Sequence, residues 1–271
     1  MDRPVSCRTS PIGILDPSPC RHAPAEFASV RPAPVTSGGF VVGRWLSIAA
    51  ALIIGGITVV GAPHGAAGVR LTGRDASLEH VAVVGDSYTT GSDQGGNGPR
   101  NWTTLAWQRL ARQGVQIDAD VAAEGRAGYV VRGYQNHVFG DLAPRAISAD
   151  DTLVVFYGSR NDQGADPLAI LGAAQGAFDF AHRTAPSARL LVIGPPWPTA
   201  DVPPVVLQIR DMLRTAAALA GATFVDPIAE RWFVGRPDLI GADGVHPTDA
   251  GHAYMADQIA PLIGAELPRR V

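Results

Sequence analysis

The chain has 271 residues, 46% hydrophobic and 17% charged, which is enough apolar material for one sizeable packed domain and excludes disorder throughout. A net charge of −3 leaves no electrostatic footprint for nucleic acid, and no such partner is expected. Both cysteines, Cys7 and Cys20, lie near the N-terminus, so the folded part relies on neither a disulfide nor a thiolate metal site.

Residues 1–40 are rich in Pro, Ser and Ala without periodicity and read as a disordered leader. Within 41–63 follows an apolar stretch in which positions 45–62 carry no charge, close to the roughly 20 residues that cross a bilayer. Arg3, Arg8, Arg21, Arg31 and Arg44 precede it, against Asp2, Asp16 and Glu26. That positive bias places the leader in the cytoplasm and the rest of the chain outside. A transmembrane helix or signal anchor is therefore expected, with cleavage near Gly65-Ala66-Ala67 as the alternative that would release a secreted protein. Residues 64–77 read as a linker.

From 78 to 271 apolar runs alternate with amphipathic ones. Strand-like runs fall at 80–87, 116–123, 151–158, 188–196 and 222–227, and helix-like segments at 101–114, 166–185, 202–221 and 248–267. Runs of Val, Leu and Ile unbroken by polar residues are strands covered on both faces. The expected fold is α/β: a three-layer α/β/α sandwich around a mainly parallel five-stranded sheet. Ligands of such sheets sit at the carboxyl ends of the strands. Polar punctuation falls there at Ser87, at Gly158–Asn161 and at Pro195–Trp197.

Two short stretches carry chemistry. "VAVVGDSYTTG" (81–91) ends a strand on Gly-Asp-Ser, and "GADGVHPTDAGH" (241–252) sets Asp243 three residues before His246 in a loop ahead of the last helix. A serine hydroxyl becomes a useful nucleophile when an imidazole takes its proton, and the imidazole needs a carboxylate to fix its tautomer. Ester hydrolysis also passes through an oxyanion that needs waiting donors. Candidates are the Ser87 N–H, the N–H groups of "AEGRAGYV" (123–130) and the Asn161 amide in "YGSRNDQG" (157–164).

In this order the four blocks resemble the SGNH, or GDSL-like, hydrolase superfamily over about residues 78–267, and "NWTTLAWQRL" resembles its first helix. The resemblance implies a flavodoxin-like fold and a serine esterase without metal or organic cofactor. Its nucleophile falls on Ser87, its base on His246 and its acid on Asp243. The oxyanion donors it implies are Ser87, Asn161 and Gly128, with Gly125 as the alternative register. One departure stands out: the third block usually reads G-x-N-D, whereas Ser159 takes the glycine's place and Gly158 comes one step earlier.

Other polar residues read more plainly. Asp86 and Asp162 are expected to hold turns, His252 to pack in the closing helix, Asp226 to anchor a loop, and His80 and His137 to be ordinary polar residues. Trp197 and Arg160, on the active rim, are candidates to touch substrate. The expected partner is a small-molecule, glycan or lipid acyl ester, met by a monomer held to the membrane through its N-terminal segment. Short-chain O-deacylation of a carbohydrate or small ester is the first reading. A lipase or lysophospholipase, an acyltransferase on envelope glycans, and a silent glycan-binding module are the alternatives.

Overall fold

The computed structural model describes residues 77–268. The segments expected as leader, membrane helix and linker lie, up to residue 76, outside the described residues. Among the described residues no helix is long and apolar enough to cross a membrane.

Five strands form one sheet: β1 (Ser77–Gly85), β2 (Val115–Ala123), β3 (Leu153–Tyr157), β4 (Arg189–Ile193) and β5 (Thr223–Val225). Their order is β2-β1-β3-β4-β5 and every neighbouring pair is parallel. The helices are α1 (Ser87–Thr90), α2 (Trp102–Arg112), α3 (Phe139–Ala146), α4 (Pro167–Thr184), α5 (Pro204–Leu219) and α6 (Asp249–Glu266).

Strand alternation sorts the core into two layers. Val81 and Val83 face one side with Leu153, Val155, Leu191 and Ile193, under Trp102, Ala106 and Leu110 of α2 and Met255, Ile259 and Ile263 of α6. Ala82 and Val84 face the other, with Val154, Phe156 and Val192, under Phe139 of α3, Phe178 of α4 and Leu213 of α5. Because both faces of the central strands are covered, β3 is buried along its whole length, which is why its sequence reads as an unbroken apolar run.

Helix starts follow local chemistry. Asn101, Asp166 and Thr248 cap α2, α4 and α6 by accepting the backbone N–H of Thr103, Leu168 and Gly251. Each such cap contributes about 1 kcal/mol. Helix α3 is not among the expected segments. It spans barely two turns, and Pro144 inside it removes the hydrogen bond that would have run back to Gly140.

The strand order fixes where a site can form. The chain runs from β1 outward to β2 and then returns across to β3, so the connections leaving β1 and β3 diverge and open a crevice at their carboxyl ends. Ser87 follows β1 and Asn161 follows β3 at that crevice.

Candidate active site

Ser87 opens α1 directly after β1. Asp86 caps this short helix, its Oδ1 accepting the Tyr88 N–H at 2.9 Å, so its carboxylate holds the turn as expected. Burial drives the Asp86 pKa up to about 7, against the opposing pull of the Tyr88 N–H and the Arg160 charge. Tyr88 then reaches across, donating its hydroxyl to the Val245 carbonyl at 2.5 Å. That bond ties the serine turn to the loop before α6.

The loop itself is pinned at both ends. Gly241 N–H donates to the His246 carbonyl at 2.8 Å, Thr248 N–H to the Leu239 carbonyl at 2.9 Å, and Ala242 N–H to Gln94 Oε1 at 2.8 Å. Gly244, at φ +67°, supplies the left-handed step that lets Asp243 fold back onto His246. Asp243 Oδ1 accepts the N–H groups of Val245 and His246, both at 2.9 Å. Its Oδ2 lies 2.6 Å from His246 Nδ1, and His246 Nε2 lies 3.1 Å from Ser87 Oγ. Partial burial alone would raise the Asp243 pKa, but the bonds from the His246 ring and from the two N–H groups prevail and hold it below the ordinary value. An ionised Asp243 places the proton on Nδ1 and leaves the Nε2 lone pair facing the serine hydroxyl.

Asn161 stands on the third loop. Its Nδ2 donates to the Ala127 carbonyl at 2.9 Å and more weakly to Asp86 Oδ2 at 3.3 Å. Next to it, buried Asp162 organises the neighbouring loop by accepting the N–H groups of Tyr129, Val130 and Val131 at 2.8–2.9 Å and the Ser159 hydroxyl at 2.6 Å. Ser159 therefore has its own task in the place where the family usually has glycine: its hydroxyl completes the shell around Asp162.

Gly128 is not brought to the crevice. It is buried, its N–H donates to the Val131 carbonyl at 2.8 Å, and a Cβ there would lie 2.3 Å from Asp162 Oδ1. The glycine is explained by that close approach, and its N–H, expected from the resemblance to face the oxyanion, is spent within its own loop. Gly125, two residues past the end of β2, lines the crevice, and among the described residues its N–H has no hydrogen-bond partner. The same holds for the Ser87 N–H.

The crevice is a cleft of about 560 Å³ that holds Ser87, Gly125, Asn161, Asp243 and His246 in its wall. Most of the remaining lining is polar: Ser92, Asp93, Gln94, Glu124, Arg126, Gln135 and Arg160. Tyr134, 80% exposed, stands at the rim against Gly125 and gave no signal in the sequence beyond an aromatic in a loop. Arg160 lines the cleft, whereas Trp197 does not; it stacks on the Arg160 guanidinium at 4.1 Å.

The other singled-out residues fall elsewhere. His252 is buried on α6 and accepts the Trp102 N–H at 3.3 Å. Asp226 anchors its loop through the N–H groups of Ile228 and Ala229 and through Arg210 and Arg214. His80 pairs at 3.7–3.8 Å with Asp118 and Asp150. His137 is more than an ordinary polar residue: it bonds buried Glu124 at 2.6 Å and Arg145 at 2.7 Å, bracing the loop that carries Gly125. Among the described residues no group of acids, histidines and cysteines is placed to hold a metal.

Residues 83–254 match the model of the GDSL-like lipase/acylhydrolase family. The chain belongs to that family. It is a carboxylic ester hydrolase of the GDSL type. A relative, the GDSL lipase Rv0518 of Mycobacterium tuberculosis (strain ATCC 25618 / H37Rv), is 60% identical over 212 residues, which are 77% of this chain and 92% of that protein. Among solved structures, TesA superposes with a TM-score of 0.57 at 21% identity, over 70% of this chain and all of that one. A family two carbohydrate esterase from Clostridium thermocellum, solved with cellohexaose, gives 0.54 at 14% identity, over 69% of this chain and 64% of that one. The superpositions establish that this hydrolase shares the SGNH fold.

Proposed function

We propose that the hydrolase cleaves short acyl esters of a carbohydrate or small alcohol through an acyl-enzyme on Ser87. His246 Nε2 takes the hydroxyl proton as Oγ attacks the carbonyl carbon, and later delivers a proton to the leaving alkoxide. Asp243 keeps the imidazole in the productive tautomer and offsets its charge. The Ser87 N–H, the Gly125 N–H and the Asn161 amide receive the oxyanion, with Asn161 exchanging its long bond to Asp86 for a stronger one to the negative oxygen. Water, activated by the same imidazole, then releases the acid.

The observation that carries this reading is the continuous chain from Asp243 to His246 to Ser87, at 2.6 and 3.1 Å, opening into one cleft. A short polar acyl group fits that cleft better than a long chain. An alkyl tail gains about 0.8 kcal/mol for each CH₂ that it buries, and few aliphatic side chains line this cleft to receive one. The lipase reading keeps a claim through the name of the Mycobacterium tuberculosis relative. From the apolar stretch at 45–62 and the arginines ahead of it, we further infer that the catalytic domain lies outside the cell, tethered or released.

A panel of p-nitrophenyl esters from acetate to palmitate tests the acyl preference. Turnover is expected to peak at the short end; a maximum at long chains establishes the lipase reading instead. Ser87→Ala is expected to lower kcat by about 10⁴-fold or more and to abolish labelling by a fluorophosphonate. Turnover surviving in that variant would remove the serine from the mechanism.

A further inference from the structure

We propose that Arg160 reads a negative charge on the substrate, so that the preferred ester carries a carboxylate or another anionic group beside the scissile bond. This deepens the esterase reading above and rests on it.

Seven of the thirteen described arginines are matched with acids, as Arg100 is with Asp249, Arg109 with Asp257 and Arg236 with Asp238. Arg160 is not: among the described residues no carboxylate lies within ion-pair distance of it. It stands half-buried in the wall of the cleft, next in sequence to Asn161, and its Nη1 is shut off from solvent without a hydrogen-bond partner. Its charge acts inward on buried Asp86 and Tyr88, and the part of the guanidinium that lines the cleft is what an anionic ligand can reach.

The side chain is also held in place. Its guanidinium lies 4.1 Å from the centre of the Trp197 ring, and the indole is fixed in turn by its Nε1–H donating to the Asp201 carbonyl at 2.9 Å. A cation stacked on an aromatic keeps its in-plane N–H groups available for bidentate binding of a carboxylate or phosphate. The rest of the cleft does not neutralise it. Glu124 is bonded to His137 and Asp243 to His246, buried Asp86 feels the Arg160 charge but lies beyond ion-pair distance, and Asp93 and a second guanidinium without an acid partner, that of exposed Arg126, also line the cleft. The Trp197 ring, expected from the sequence to touch substrate, acts here through the arginine it supports.

The charge can sit on the acyl side or on the alcohol side, and two matched pairs of esters separate these cases. The first is p-nitrophenyl butyrate against the p-nitrophenyl half-ester of succinic acid, which differ in a terminal methyl against a carboxylate. The second is methyl p-acetoxybenzoate against free p-acetoxybenzoate, where the charge leaves with the alcohol. The wild-type enzyme is expected to prefer the anionic member of one pair by kcat/KM. Arg160→Gln is expected to cut that preference about 10- to 100-fold, the span of a charge-assisted bond, and Arg160→Lys to retain more of it. Because each result is a ratio measured on one preparation, a partly folded variant does not distort it. No anionic preference in either pair, or an Arg160→Gln variant that slows both members in equal proportion, overturns the proposal. Undiminished cleavage by Ser87→Ala would instead overturn the serine esterase reading beneath it.

Discussion

At the scale of single residues, the sequence carried most of the site because its chemistry is local. Asp243 and His246 are three positions apart, and a glycine between them is all the backbone needs to fold the carboxylate onto the ring. A sharp expectation follows for the acid. Asp243→Asn presents an amide where Oδ2 now accepts from Nδ1, which favours the tautomer with its proton on Nε2, facing the serine. The loss in kcat is expected to be about 10³- to 10⁴-fold, with the melting temperature within a few degrees of wild type, since the residue is exposed. A variant that retains a tenth of wild-type turnover would show that the carboxylate does not orient the base. The glycine donor was harder to place. "EGRAG" offers two glycines, and nothing in the letters says which one meets the cleft and which one makes room for a buried carboxylate from another strand connection. Distance from the end of β2 was the signal that separates them: Gly125 lies two residues past it and Gly128 five.

At the scale of elements, the strands were legible wherever both faces are buried, because apolar runs then have no polar interruptions. Their ends were less so: the run at 151–158 extends past both ends of β3, whose last paired residue is Tyr157. Helix α3 went unread for a different reason: its buried residues Phe139, Leu142, Ala143 and Ala146 recur at helical spacing, but over only eight residues and with Pro144 among them. The Asp162 shell gives these loops a measurable stiffness. Gly128→Ala drives a methyl into that carboxylate, with no flexible tail to move aside, and is expected to destabilise the protein by about 1–3 kcal/mol. Gly125→Ala meets only the edge of the exposed Tyr134 ring at 3.1 Å, which can swing outward, so its melting temperature should stay close to wild type. Thermal unfolding of the two variants side by side checks this, and equal losses would mean that the two glycines have been assigned the wrong tasks.

At the scale of the whole molecule, two buried titratable groups, His252 and Asp86, shape the response to pH. His252 accepts the Trp102 N–H while its Nε2 lies buried without a partner, and burial lowers its pKa from 6.5 to about 4. Above pH 6.5 it costs nothing. As pH falls from 6.5 toward 4, the unfolded chain takes up a proton that the fold refuses, and stability drops by about 3 kcal/mol in all. Asp86 runs the other way, because burial raises its pKa from 3.8 to about 7. Below pH 3.8 both states hold the proton. As pH rises from 3.8 toward 7, the unfolded chain releases it and the fold does not, so stability falls by about 4 kcal/mol over that window. Between pH 4 and 6.5 the two slopes have opposite sign and largely cancel in the wild-type protein. Removing one should expose the other. His252→Asn keeps an acceptor for the Trp102 N–H but cannot be protonated, so relative to wild type it should gain stability on going from pH 7 to pH 4.5. Asp86→Asn should lose stability, relative to wild type, over the same interval. Urea unfolding at the two pH values measures both differences directly, and curves for the two variants that stay parallel to wild type would show that neither buried group sets the acid response of this fold.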